Sequence, residues 1–312
     1  MNSPALVDVG LLDTLLNTAE WVRVDGLGEG VGRELERLES AGCGLERHPQ
    51  HGVRLLSAGL SVWADYLAAY PPSRSGDARR VVVLRETAST QAVAKEMAEA
   101  GRTGVVLADA QSAGRGRLGN AWASPAGAGV LMSMVLKDAG MQGEAWSLGV
   151  GVAVARVIER WAGEGSAQMR WPNDVLVGGR KVAGVLIERA GDAVVVGVGL
   201  NVHRPAGGWT GALEGVAIAL DELGTAEPVH RLSVVRELIA GLEGITASNE
   251  GVLDFWRKRC VQLGRRVVLL SDGREISGEV VAIDPAQGLA VRGERGQVIY
   301  VAAATARNVA RE

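Results

Sequence analysis

The sequence predicts an α/β (α+β) central domain built on a mixed sheet, preceded by a small unit that starts with helices and followed by a small all-β unit. Three observations predict it. From residue 79, apolar β-rich runs alternate with helical ones, which argues for a mixed α/β domain. Gly178-Gly179 and Gly191-Asp192 each sit between two apolar runs, so both read as hairpin turns and the sheet is partly antiparallel. Residues 263–312 break into short strands spaced by SDG, DPAQG and ERGQ, the pattern of a small barrel.

In chain order, residues 1–66 hold short amphipathic runs at 11–16 and 31–42, then LERHPQHGVRLL at 45–56, which predicts helix, helix, hairpin. Residues 67–78, AAYPPSRSGDAR, combine Pro-Pro, Ser, Gly and charges and read as a linker. The central domain is placed at 79–262. Strands are expected at 80–84, 104–110 and 129–136, and helices at 89–101, near 143–162, at about 229–247 and at 250–262. Residues 170–202 supply a run of strands around the two Gly-containing turns, and the all-β unit takes 263–312.

Composition bounds the function. The chain has 312 residues, 47% apolar and 22% charged, enough to bury a sizeable core. Its net charge of -3 argues against a chain whose main work is to hold a polyanion. Cys43 and Cys260 lie far apart without a C-x-x-C spacing, so neither a disulfide framework nor a zinc site is suggested and a cytoplasmic setting is expected. His48 and His51 have the spacing H-x-x-H but no evident third ligand, so no bound metal is expected. No run of eighteen apolar residues occurs, so no membrane partner is expected.

Four motifs carry chemistry. Gln111 to Gly119, QSAGRGRLG, follows an apolar strand, and Gly114 to Gly119 formally matches G-x-G-x-x-G. A dinucleotide loop needs a helix next, and NAWASPAGAGV with Pro125 is a poor one, which excludes that reading. A Gly-rich loop with Arg115 and Arg117 still suits an anion, through backbone N–H groups and forked donors; an exposed basic turn is the alternative. The second motif is Arg170-Trp171-Pro172-Asn173-Asp174. In the third, Arg180 to Gly184, period-two alternation sets Lys181 on one face with Ala183 and Val185, either as a solvated strand end or as a cation facing a ligand. The fourth, Gly197-Val198-Gly199-Leu200-Asn201, places glycines in a strand, which suggests close backbone approach.

In this order, with Ser89-Thr90-Gln91 opening a helix and Trp122-Ala123-Ser124-Pro125 closing the Gly-rich loop, the motifs resemble the biotin protein ligases, including the bifunctional ligase and repressor type. The likeness covers about 80–312. It implies an ATP-dependent enzyme that forms biotinyl-adenylate and transfers biotin to a lysine of a biotin carboxyl carrier protein. ATP and Mg2+ would be co-substrates and biotin the substrate. Ser89, Thr90, Gln91 and Gln111 would line the biotin end, with Gly114, Arg115, Gly116, Arg117, Lys181, Gly184 and Asn201 around biotin and its adenylate. Trp122, Asn173, Asn201 and Trp209 would serve the nucleotide, Trp209 by stacking on adenine, with packing in the core as its alternative. Lys181, Arg117 and Asp174 would be catalytic, the cations opposing the repulsion between carboxylate and α-phosphate and Asp174 orienting or deprotonating the acceptor amine. One departure stands out: many members read G-R-x-W where this chain has Gly119-Asn120-Ala121-Trp122, so a cation near the phosphates is missing.

The resemblance further implies an SH3-like barrel at the C-terminus and a winged helix-turn-helix at the N-terminus, of which residues 1–66 look like a degenerate version. That stretch carries ten acidic residues against five arginines, a net of -5, so specific DNA binding is not expected. A homodimer is left open. Two other readings are a lipoate or octanoate ligase and a non-enzymatic biotin-responsive transcriptional regulator.

Overall fold

The computed structural model describes residues 7–308, apart from 19, 27–29, 71–78, 139, 142–143, 226–227 and 246–249. The N-terminal unit contains α1 (Val9–Leu16), α2 (Val31–Ser40), the hairpin β1 (Gly44–His48) and β2 (Gly52–Ser57), and α3 (Leu60–Ala69). Asp8 caps α1 by accepting from the backbone N–H groups of Gly10 and Leu11, and Leu11, Leu12, Leu15 and Leu16 turn inward. Helix α3 is an addition to the expected helix, helix, hairpin order. Val62, Trp63, Tyr66 and Leu67 fall at helical spacing and bury one face. It runs to Ala69, three residues into the stretch 67–78 read as linker; the remainder of that stretch, 71–78, lies outside the described residues.

The central domain is a seven-stranded sheet of order β3-β4-β5-β9-β8-β7-β6: β3 (Val81–Thr87), β4 (Gly104–Gln111), β5 (Gly129–Lys137), β6 (Ala167–Arg170), β7 (Asp174–Val177), β8 (Arg180–Ala190) and β9 (Ala193–Asn201). Only β3 and β4 pair in parallel, across the helix α4 (Thr90–Glu99); both Gly-containing turns are hairpins. Strand alternation divides the two faces. Val130, Met132, Met134, Val196 and Val198 join the main core with α5 (Ala145–Ala162) and α6 (Arg231–Glu243), and α7 (Glu250–Arg259) inserts Trp256 against α5. On the other face Val106, Val135 and Val195 meet Ala94, Met97 and Ala98 of α4. Gly197 and Gly199 continue the Val195 row beyond the helix, so this part of the face is left open.

Strand β8 corrects the expected alternation. Val175 pairs with Ala183 but Leu176 pairs with Lys181, so Val182 is an extra residue on β8, a β-bulge. The bulge takes Lys181 out of step with Ala183 and turns it toward Gly184.

The C-terminal unit is a five-stranded antiparallel sheet of order β13-β12-β11-β10-β14: β10 (Arg266–Ser271), β11 (Arg274–Asp284), β12 (Gly288–Arg292), β13 (Val298–Val301) and β14 (Arg307–Asn308). It is tied to the central domain by a polar chain in which Gln262 accepts from the Trp171 backbone N–H at 2.7 Å and donates to Asn308 Oδ1 at 2.9 Å. Asn308 in turn donates to the Trp171 carbonyl at 3.0 Å. Among the described residues no helix is long and apolar enough to cross a membrane.

Candidate functional site

The open part of the α4 face is a cavity of about 810 Å3. Its neutral end is built by the start of α4 against β4 and β5. Gln111 Oε1 accepts from both the Thr90 backbone N–H at 2.7 Å and the Thr90 hydroxyl at 3.0 Å. Ser133 Oγ lies 2.9 Å from the Thr90 hydroxyl and donates to Gln91 Oε1 at 3.0 Å. Gln91 closes the chain by donating to the Val195 carbonyl. Ser89 Oγ, buried at the same end, has no protein partner among the described residues. A buried hydroxyl without a partner is costly, and a ligand that bonds to it removes the cost.

The middle of the cavity is floored by Trp122. Residues 111–122 fold back on themselves: Trp122 N–H donates to the Gly114 carbonyl at 2.9 Å and Gly116 N–H to the Asn120 carbonyl at 2.7 Å. Leu118, with φ of 54°, and Gly119 turn the tip. A side chain at Gly114 would strike the Trp122 carbonyl, and a Cβ at Gly199 would lie 2.3 Å from the indole. The close approach expected of the strand glycines is therefore made by Trp122. Lys181 Nζ lies 5.3 Å from the centre of the same ring.

The far end is cationic. Arg115, Arg117, Arg170, Lys181, Arg266 and Arg307 line the cavity, and Asp174 is the one carboxylate in the lining. Asp174 holds Lys181 Nζ at 2.6 Å on one oxygen and Arg170 Nη2 at 2.7 Å on the other. Both carboxylate oxygens thus face cations, and the ion pair fixes the Lys181 ammonium in place. Arg117 Nη1 reaches the Asn173 side chain at 3.4 Å, while its Nη2 is buried without a partner among the described residues. Burial pulls the Arg117 guanidinium below its usual value, against the opposing pull of Glu144 and Asp174.

Of the residues singled out in the sequence, Ser89, Thr90, Gln91, Gln111, Arg115, Gly116, Arg117, Trp122, Asn173, Asp174, Lys181 and Gly184 meet in this cavity. Gly114 sits behind it as the hinge of the loop. Asn201 is also behind it, donating to the Ile218 carbonyl at 3.2 Å and the Lys181 carbonyl at 3.4 Å, and so ties the segment 216–218 to β8. Trp209 is not brought to the cavity; its indole N–H donates to Glu222 at 2.7 Å. Sequence reasoning missed Ser133, whose signal was a lone hydroxyl within an apolar strand, and gave Arg170 no role. It also missed Gln262, at the end of the central domain, and Arg266, Arg307 and Asn308, from beyond it, none of which carries a local signal. Arg307 donates to the Leu118 carbonyl at 2.6 Å, so the C-terminal unit holds the tip of the loop.

A cavity that is neutral and hydrogen-bonding at one end and strongly cationic at the other defines a protein that binds a small polar molecule next to a polyanion. The model of the biotin/lipoate A/B protein ligase family matches residues 83–203. A biotin–[acetyl-CoA-carboxylase] ligase of Mycobacterium tuberculosis is 36% identical over 240 residues, covering 72% of this chain and 87% of the relative. One from Paracoccus denitrificans is 33% identical, covering 71% and 98%. The solved biotin protein ligase of Aquifex aeolicus in complex with biotin and ATP is 27% identical, with a TM-score of 0.60 over 73% of this chain and 99% of that one. The chain belongs to the biotin/lipoate A/B protein ligase family, among its biotin protein ligases.

Proposed function

We propose that the chain is an ATP-dependent biotin protein ligase that activates biotin as biotinyl-5'-AMP and transfers it to a lysine of a biotin carboxyl carrier protein. The observation that carries this reading is the polarity of one cavity: the linked Thr90, Gln91, Gln111 and Ser133 with the unpartnered Ser89 hydroxyl at one end, and, among the described residues, six cations against one carboxylate at the other. A ureido ring offers both donors and acceptors to the first end; a triphosphate answers the second. A lipoyl or octanoyl chain would leave the polar end without partners. A regulator without catalysis would have no use for Lys181 held between Asp174 and Trp122.

In the first step a biotin carboxylate oxygen bonds to the α-phosphorus of ATP as the bond to pyrophosphate breaks and its electrons leave on the bridging oxygen. Arg117 and Lys181 stabilise the charge that gathers on the phosphoryl oxygens. In the second step the acceptor lysine nitrogen bonds to the carbonyl carbon as the bond from that carbon to the AMP oxygen breaks with its electrons leaving on AMP, and the proton shed by the nitrogen passes to solvent water. Trp122 and Asn173 flank the nucleotide. Arg170, Arg266 and Arg307, in the same lining as Asn120, are the candidates to stand in for the missing cation. No group of three His, Cys, Asp or Glu able to hold a metal occurs among the described residues, and Asp174 is committed to cations. Magnesium would come with the nucleotide, whose phosphates and waters would supply most of its ligands and whose charge it would help to neutralise.

We read the N-terminal unit, residues 1–66 extended to Ala69 by α3, as winged-helix-like, from the order of α2 and the hairpin, and the C-terminal unit, 263–312, as SH3-like. Three of the four arginines of α2 and the hairpin are already paired, Arg37 with Glu34 at 2.5 Å, Arg47 with Glu39 at 2.9 Å and Arg54 with Glu46, so few remain for phosphates. Specific DNA is not among the proposed partners; a cytoplasmic setting is proposed with the acceptor. The test is to incubate the purified chain with ATP, magnesium and radiolabelled biotin, with and without a biotin carboxyl carrier domain. Biotinyl-adenylate and pyrophosphate are expected in the first mixture and a labelled lysine in the second. Adenylate from lipoate or octanoate in preference to biotin, or no adenylate at all, would overturn the reading.

A further inference from the structure

Behind Arg117 lies a second cavity of about 250 Å3, and Arg117, Pro172, Asn173 and Val185 line both. Its remaining charged lining is Glu144 and Arg189. Arg189 pairs with Asp138 and donates to the Met141 carbonyl at 2.9 Å. Glu144 is only 7% exposed, at the N-cap of α5. Its backbone N–H donates to the Pro285 carbonyl at 2.8 Å and its Oε1 accepts from the Ala303 N–H at 2.7 Å, so the C-terminal unit fixes both the backbone and the carboxylate.

A buried carboxylate is costly unless something offsets it, and the Ala303 N–H bonds only to Oε1. Across the cavity, Arg117 presents a guanidinium whose contacts with Asn173 Oδ1 and the Ala306 carbonyl are to neutral oxygens and long. Asp174, the other carboxylate near Arg117, is occupied by Lys181 and Arg170. We propose that Glu144 is a positioning residue for Arg117: anchored by the C-terminal unit, its carboxylate keeps the guanidinium in the wall between the two cavities and aimed at the reacting phosphate. The electrostatics agree in both directions, since burial pushes the Glu144 carboxyl up while the Ala303 N–H and Arg117 pull it down, and Glu144 is the larger of the two carboxylate pulls that oppose burial at Arg117. The inference rests on the ligase reading of the main cavity. It also gives the C-terminal unit a second hold on the loop, besides the bond from Arg307 to Leu118.

The decisive variant is Glu144→Gln, which keeps an acceptor for the Ala303 N–H and removes only the charge. Single-turnover adenylate formation should slow about tenfold, the scale of a misplaced group rather than of the 10²–10³ loss expected on deleting one. In an Arg117→Gln chain the same substitution should cost almost nothing more, because the group it positions is gone. A merely structural residue would instead add its loss to that of Arg117→Gln. A wild-type rate in Glu144→Gln, or additive losses, overturns the proposal. A wild-type chain that makes no adenylate overturns the ligase reading instead, and the placement of Arg117 is then read by phenylglyoxal labelling. Severalfold faster modification of Arg117 in Glu144→Gln supports the positioning contact, and equal rates in the two chains reject it.

Discussion

Lys181 is held by three neighbours at once: Asp174 at 2.6 Å, the Trp122 ring at 5.3 Å, and the space left by Gly184, where a Cβ would come within 3.2 Å of its Nζ. A solvated strand end would need none of these. An ammonium fixed in this way stabilises charge as it develops without first having to reorganise. Lys181→Ala should therefore lose on the order of 10²–10³ in adenylate formation, while biotin binding, which rests on the opposite end, changes little. Transfer from supplied biotinyl-adenylate should slow as well, since the carbonyl oxygen gains negative charge in that step. Lys181→Arg should recover only part, its planar fork being too wide for the gap between indole and Gly184. Paired rates of the two half-reactions, with circular dichroism to verify folding, check this; unchanged rates in Lys181→Ala would return the residue to the role of a strand end.

At the scale of elements, the loop at 111–122 and the strands beneath it are one device, because Gly199 exists to let Trp122 lie flat on β9. Gly199→Ala puts a methyl 2.3 Å from the indole, where either the ring or the strand must move. Overpacking of this kind costs about 1–3 kcal/mol. Urea unfolding should show that loss in Gly199→Ala and its near disappearance in Gly199→Ala/Trp122→Leu; a double variant no more stable than the single would mean that the clash is not with Trp122. Much of this device was legible in the sequence, because turn glycines, a Gly-Arg loop and strand glycines are local signals whose physical meaning survives without the fold. The elements that were misread depend on partners far along the chain. The extra residue at Val182 is visible only against β7, and α3 was hidden by reading the prolines after it as the start of a linker rather than as the stop of a helix. Trp209 found Glu222, thirteen residues on, in place of the cavity.

At the scale of the whole molecule, α6 is the bracket that joins the N-terminal unit to the ligase sheet. At its start Arg231 pairs with Asp109 of β4 at 2.7 Å and lies 5.2 Å from the centre of the Trp63 ring of α3. One and a half turns later Arg236 donates to Asp13 at 2.9 Å, to the Tyr66 hydroxyl at 3.0 Å and to Asn17 at 2.8 Å. Tyr66 is fully buried and donates to Asp13 at 2.6 Å; burial first, and then the bond to Asp13, push its phenol well above the usual range. Beneath these contacts Leu12, Trp63 and Leu67 share one apolar core with Val235 and Leu238. A unit attached in this way should not unfold by itself, and the wild-type chain should lose tryptophan fluorescence and helical ellipticity in one coincident transition. Arg236→Ala removes the cation from a partly buried Asp13 and a donor from Tyr66, which should cost about 1–3 kcal/mol. Because α6 contributes nothing to the lining of the main cavity, adenylate formation below the transition should stay within about twofold, as expected for distant, independent sites. The denaturant slope separates two outcomes. A lowered midpoint with an unchanged slope means that the two units still unfold together. A shallower slope with two phases means that Arg236 is the contact through which they are coupled. An unchanged midpoint would show that the apolar core alone fixes the N-terminal unit and that the polar cluster around Arg236 adds nothing to it.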